Sequence, residues 1–119
     1  TDQVSISAQT SSQYLSALML IAPSLPDGLT MKLQGEVTSR PYLEMTRSLL
    51  TAIGVESSFE GDQIKIAAFS LDKPRRLIVE SDWSSASYFY SLVALSEMEV
   101  TLSSYRSSSL QGDSALVAI

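Results

Sequence analysis

A chain of 119 residues, 45% hydrophobic and 18% charged, can bury one small core and does not have the composition of a disordered segment. It contains no cysteine and no histidine, which excludes disulfides, thiolate or imidazole metal sites and histidine acid–base catalysis. Its net charge of −5 argues against a nucleic-acid surface, which needs a basic face. The apolar stretch from Leu15 to Pro23 is interrupted by Ser16 and is too short to cross a bilayer. With no secretory signal pattern visible, a cytoplasmic protein that touches neither membrane nor nucleic acid is expected.

Val4, Ile6 and Ala8 alternate with Ser5 and Ser7, the period of a short strand. A helix is predicted over residues 12–24, with Tyr14, Leu15, Leu18, Met19 and Ala22 along one face. Thr10, Ser11 and Ser12 stand where its N-cap belongs. Pro23 and Pro26 close it, and Pro26-Asp27-Gly28 makes a turn. Residues 29–34 read as a strand with Leu29, Met31 and Leu33 on one side. Ser39-Arg40-Pro41 opens a second helix, with Pro in its first turn, whose apolar positions are Leu43, Met45, Leu49, Leu50 and Ile53. Gly54 suits its C-terminal end. Residues 55–60 and 63–69 flank Gly61-Asp62 as a hairpin. The order is β-α-β-α-β-β.

The order then begins again, with strands expected at 76–80 and 99–102, a helix at 84–96, a serine-rich loop at 103–109 and a helix from about Gln111. Ser84-Ser85-Ala86-Ser87-Tyr88-Phe89 echoes Ser11-Ser12-Gln13-Tyr14-Leu15-Ser16, which suggests a repeated unit with a truncated second copy. Residues 115–119 form an apolar run without a helix stop, so the chain is expected to end inside an element. The expected class is α/β of the α+β kind: one βαβαββ unit and the start of a second.

Two stretches offer chemistry. Thr10-Ser11-Ser12-Gln13 lies between a strand and a helix N-terminus, where free N–H groups and the helix dipole favour an anion and hydroxyls add donors. Thr38-Ser39-Arg40-Pro41-Tyr42 repeats that arrangement. Simple capping explains the same serines, and the residues alone do not separate the two readings. Asp82, Ser84 and Ser85 are candidate caps of the next helix, and Trp83 a packing anchor. No nucleophile–base pair, metal site or Walker loop is present in the pattern.

Four blocks in order, Ser11-Ser12-Gln13-Tyr14-Leu15-Ser16-Ala17-Leu18, Thr38-Ser39-Arg40-Pro41-Tyr42, the stretch from Val79 to Phe89, and Leu110-Gln111-Gly112-Asp113, resemble the EPSP synthase (3-phosphoshikimate 1-carboxyvinyltransferase) family over nearly the whole chain. The resemblance implies a two-lobed transferase of three βαβαββ units per lobe, needing no cofactor. It moves the enolpyruvyl group of phosphoenolpyruvate to the 5-hydroxyl of shikimate 3-phosphate in the shikimate pathway of aromatic amino acid biosynthesis. Residues 1–80 would be the last unit of one lobe, and residues 81–119 the hinge crossing and a partial unit of the other. It further implies that Ser11, Ser12, Gln13, Ser39 and Tyr42 hold shikimate 3-phosphate and that Gln13 also meets phosphoenolpyruvate. No catalytic residue falls in this fragment, so the fragment alone is expected to be inactive. The family often has Lys where this chain has Arg40, usually Gly at Ser81 and a small residue at Trp83. The alternatives are the sister UDP-N-acetylglucosamine enolpyruvyl transferases, which share fold and chemistry, and a non-catalytic α/β anion-binding module. Tyr88, Phe89, Leu92, Val93 and Leu95 are expected to be buried against the first unit or a second copy, so that the fragment self-associates.

Overall fold

The computed structural model describes residues 2–118, which divide into two compact units, one up to Leu77 and one from Ile78 on. The first runs β1 (Gln3–Ser7), α1 (Ser12–Ile21), β2 (Leu29–Gln34), α2 (Arg40–Ala52), β3 (Ser57–Glu60) and β4 (Gln63–Ile66). This is the βαβαββ order read from the sequence. The sheet order is β1-β2-β4-β3, with β1 parallel to β2 and β4 antiparallel to both its neighbours.

Strand alternation decides which face of the sheet is covered. Met31, Leu33, Ile64, Ile66 and Phe59 point to one side and join Leu15, Met19, Leu43, Leu50 and Val55 in a single core beneath α1 and α2. The opposite face carries the other half of each strand. There Ser5 pairs across to Lys32, Thr30 to Lys65, and Glu60 to Gln63, an entirely polar set that water can cover.

The helices differ from expectation at their edges. α1 stops at Ile21 and tightens into a 3-10 turn over Ala22–Ser24, because Pro23 has no N–H to continue the α-helical ladder. Leu15, Met19 and Ala22 are buried as expected, but Tyr14 is 70% exposed, about 100° around the helix from Leu15. In α2 the buried positions are Leu43, Thr46 and Leu50, and Leu49 is exposed. Thr46 is a polar residue in the helix interface and is satisfied there. Its hydroxyl donates to the Tyr42 carbonyl (3.0 Å), leaving an oxygen lone pair for Ser16 Oγ on α1, 3.2 Å away.

The second unit departs further from expectation. The predicted helix forms as α3 (Trp83–Ala94), and the stretch expected to be helical from Gln111 is a 3-10 helix, Gly112–Ala118. The strands expected at 76–80 and 99–102 do not form among the described residues. A strand persists only where a neighbour completes its ladder. Among the described residues, Ser81 N–H bonds the Ser104 carbonyl (2.8 Å) just beyond these stretches, and side chains supply further links between residues 78–84 and 103–113. Within a single chain the burial expected along α3 is not reached. Trp83 and Ala86 are buried, whereas Tyr88 is 78% and Leu95 88% exposed, and Phe89, Leu92 and Val93 are exposed too.

Gly28 shows how tightly the first unit is closed. It sits at φ +69°, and a Cβ there would run into the Ile66 carbonyl oxygen and lie 2.7 Å from the Ala68 nitrogen. Gly61, at φ +58° in the β3–β4 turn, has open space around it. Gly28→Ala is expected to destabilise the first unit by well over the ~1 kcal/mol that left-handed backbone alone costs at Gly61→Ala. Urea unfolding of the two variants checks the difference.

Candidate functional site

Parallel pairing sets the geometry. Ser7 lies opposite Gln34, so both strands end at the same edge of the sheet. Ala8 N–H extends the pairing with a bond to the Gln34 carbonyl (2.8 Å). The chain turns after each strand into a helix that runs back over the same face. The N-termini of α1 and α2 therefore open at one edge, and the Thr46–Ser16 contact ties the two helices together. Ser11, Ser12 and Gln13 begin the first helix, and Ser39 and Tyr42 the second. Ligands in sheets of this kind gather at the carboxyl ends of parallel strands, where helix N-termini and their unpaired N–H groups point outward.

Ser11 is the N-cap of α1, its Oγ accepting from the Gln13 N–H at 3.4 Å. The capping reading is thus correct for Ser11, and its hydroxyl proton is still available to donate. Ser39 occupies the N-cap position of α2 without a side-chain cap bond. Among the described residues, the side chains of Ser12, Gln13 and Ser39 and the Tyr42 hydroxyl make no hydrogen bond to protein. Ser12 and Ser39 are half-buried, and Ser11, Gln13 and Tyr42 are exposed. The edge therefore presents unused donors on an ordered frame.

Arg40, the one cation in these two motifs, faces elsewhere. Its guanidinium lies 4.0 Å over the Phe59 ring and donates to the Phe59 and Gly61 carbonyls at 3.3 and 3.4 Å. Glu44 is 3.6 Å away on the same helix. Arg40 fastens the start of α2 to the β3–β4 hairpin, which a sequence reading limited to charge does not reveal.

In the second unit, among the described residues, the start of α3 is capped by a carboxylate in place of a serine hydroxyl. Asp82 caps α3 by accepting from the Ser84 N–H at 2.9 Å. Trp83 is 5% exposed and meets Tyr105 edge to face at 4.9 Å, the packing anchor expected of it. A cleft of about 360 Å³ lined by Trp83, Phe89, Tyr90, Val93 and Tyr105, with Val100 and Leu102, has no acid, base or cation in its wall. A second cleft, of about 420 Å³, lies beside Lys65, Thr30 and Glu56 on the polar side of the sheet. Neither is lined by Ser11, Ser12, Gln13, Ser39 or Tyr42.

The family model of EPSP synthase (3-phosphoshikimate 1-carboxyvinyltransferase) matches residues 1–119. The chain belongs to the EPSP synthase family. A 3-phosphoshikimate 1-carboxyvinyltransferase of Bacteroides fragilis is 39% identical over 113 residues, 94% of this chain and 28% of the relative. Enzymes of the same name from Shewanella sediminis (37% over 114 residues, 93% of this chain, 26% of the relative) and Deinococcus radiodurans (36% over 118 residues, 98% and 27%) are similar. The chain thus spans about a quarter of the length of the curated relatives it matches. These relatives do not favour the UDP-sugar alternative.

The acidic group beside α3 carries a pH signature. Glu80 accepts from Ser109 Oγ at 2.8 Å, and that bond, opposed by desolvation and aided by Gln111 and Arg106, holds its carboxyl below the usual carboxylate range. Because the folded-state pKa is lowered, the stabilisation is present above the ordinary Glu value and is lost as pH falls through the depressed folded one. The Ser109→Ala variant is expected to weaken that acid-limb dependence, because it removes the largest of the lowering contacts. Unfolding followed by the near-UV signal of Trp83 across the carboxylate range, from about pH 3 to about pH 7, measures it.

Proposed function

We propose that this chain is the shikimate 3-phosphate-holding portion of an enolpyruvyl transferase of the shikimate pathway. In this reading Ser11, Ser12, Gln13, Ser39 and Tyr42 hold that substrate, and Gln13 also meets phosphoenolpyruvate. The observation that carries it is the shared edge at which both helix N-termini open, with unused hydroxyl and amide donors on each. Helix N-termini stabilise a phosphate by dipole and N–H donors, so an acidic chain can hold one half of an anion without a local cation. The relatives' shared name supports the choice of substrates. The cations and the acid–base pair that enolpyruvyl transfer requires are then supplied by the remaining polypeptide.

In the same reading, residues 1–80 are the last βαβαββ unit of one lobe, and residues 81–119 cross to the other. The distribution of apolar surface supports this. The sheet's outer face is polar, while Tyr14, Leu20 and Ile21 on α1 and Leu92 and Leu95 on α3 face outward unpaired. Left alone, the 119-residue chain self-associates through such surface and shows no turnover. Sedimentation and phosphate release measured with both substrates test these two outcomes.

The site itself is tested in the full-length protein that carries this chain, by calorimetric titration with shikimate 3-phosphate. Ser12→Ala and Gln13→Ala are each expected to raise Kd about tenfold or more, since a hydrogen bond to a charged group is worth about 1.5–3 kcal/mol. Thermal unfolding should change little, because neither side chain bonds to protein. Unchanged affinity in both variants would refute the assignment. Ser11→Ala should weaken binding and also cost about 1 kcal/mol of stability through the lost cap.

A further inference from the structure

The Leu110-Gln111-Gly112-Asp113 block has no part in the proposed site, yet its side chains converge on the start of α3. Gln111 Oε1 accepts from the Trp83 N–H at 2.8 Å, and Gln111 Nε2 donates to the Ser81 carbonyl at 3.1 Å. The two partners fix the orientation of the amide, since only its oxygen can accept and only its nitrogen can donate. These two bonds flank one residue, Asp82. A residue of a parallel strand does the same to its neighbour: its N–H meets the carbonyl before the facing residue, and its C=O meets the N–H after it. The side-chain carboxamide thus supplies the donor and the acceptor that one residue of a parallel strand would supply, at a position where no strand forms among the described residues.

We propose that Gln111 is a positioning residue, a one-residue substitute for a parallel strand that holds Asp82 extended so that Asp82 can cap α3. Asp82 sits at φ −73°, ψ 115° and bonds the Ser84 N–H. That conformation is required of an N-cap and is otherwise unconstrained in a chain where residues 67–82 lie outside helix and strand. Neighbouring bonds set the carboxamide in place. The Gln111 N–H donates to Ser109 Oγ at 3.1 Å, and that hydroxyl donates to Glu80. Ser84 Oγ donates to Asp113 Oδ2 at 2.7 Å, and Arg106 donates to the Ile78 carbonyl at 3.1 Å. Trp83, locked between its own N–H bond and Tyr105, becomes the first residue of α3. The clip makes residues 81–84 a rigid part of the second unit.

Residue-resolved hydrogen exchange on the full-length protein tests this, and it does not depend on which ligand the Ser11–Gln13 edge takes. Gln111→Met keeps the bulk and loses both bonds, so the Trp83 and Ser84 amides should exchange at least tenfold faster. Amides in β2 should keep their rate. Gln111→Glu retains an acceptor for the Trp83 N–H but has no donor for Ser81, and should restore most of the Trp83 protection. Equal protection of Trp83 in the parent and in Gln111→Met, or equal loss in the Met and Glu variants, overturns the proposal. If Gln111→Met also speeds β2 exchange, it has unfolded the protein. The Glu variant then decides: protected Trp83 supports the clip, and unprotected Trp83 with β2 intact rejects it.

Discussion

The pairing of β1 with β2 in the same direction is the constraint on which the first unit depends. Two parallel neighbours require the chain to return over the sheet between them, and α1 is that return. The return places the N-terminus of α1 at the carboxyl end of β1, and the next turn places that of α2 at the carboxyl end of β2. Had the strands been antiparallel, the two serine-bearing helix starts would lie at opposite edges. The core then holds the frame: Leu15, Met19, Leu43 and Leu50 close the helices onto Met31, Leu33 and Ile64. Thr46 and Ser16 set the spacing where the helices touch.

An acidic chain is an unusual place for an anion site, and the structure makes the difficulty plain. The nearest cation in the motifs, Arg40, is committed to Phe59, Gly61 and Glu44. What the edge offers instead is backbone dipole and hydroxyl, which discriminate by geometry rather than by net attraction. Such a half-site suits a ligand whose other side meets stronger charges. The proposed partition, binding donors here and cations elsewhere, follows from that.

The second unit is organised on a different principle. In the first unit, ladder bonds and buried aliphatic side chains agree with one another. In the second, serine, glutamine, glutamate and aspartate side chains join residues 78–84 to 103–113, and much of the apolar surface of α3 is left uncovered. Polar side-chain bonds can set local geometry without a large core, because each satisfies a specific backbone group. Trp83 against Tyr105 is the main apolar contact in that arrangement.

The βαβαββ order, the hairpin at Gly61-Asp62 and the cap at Ser11 were legible in the residues themselves. Each rests on local physics: strand and helix periods, turn chemistry, and a side chain bonding within two residues of itself. The serines at both helix starts were visible too, but whether they capped or bound was not, because the answer depends on two segments far apart in sequence sharing an edge. Tertiary structure decided only that the two segments share that edge, through the parallel register. It also decided against strands at 76–80 and 99–102, whose pattern was favourable, because a strand's hydrogen bonds belong to a neighbour that the local sequence does not specify. The roles of Arg40 and Gln111 were hidden for the same reason. Their partners, Gly61 and Phe59 in one case and Ser81 and Trp83 in the other, are about 20 to 30 residues away and are mostly backbone atoms, which carry no signature in sequence.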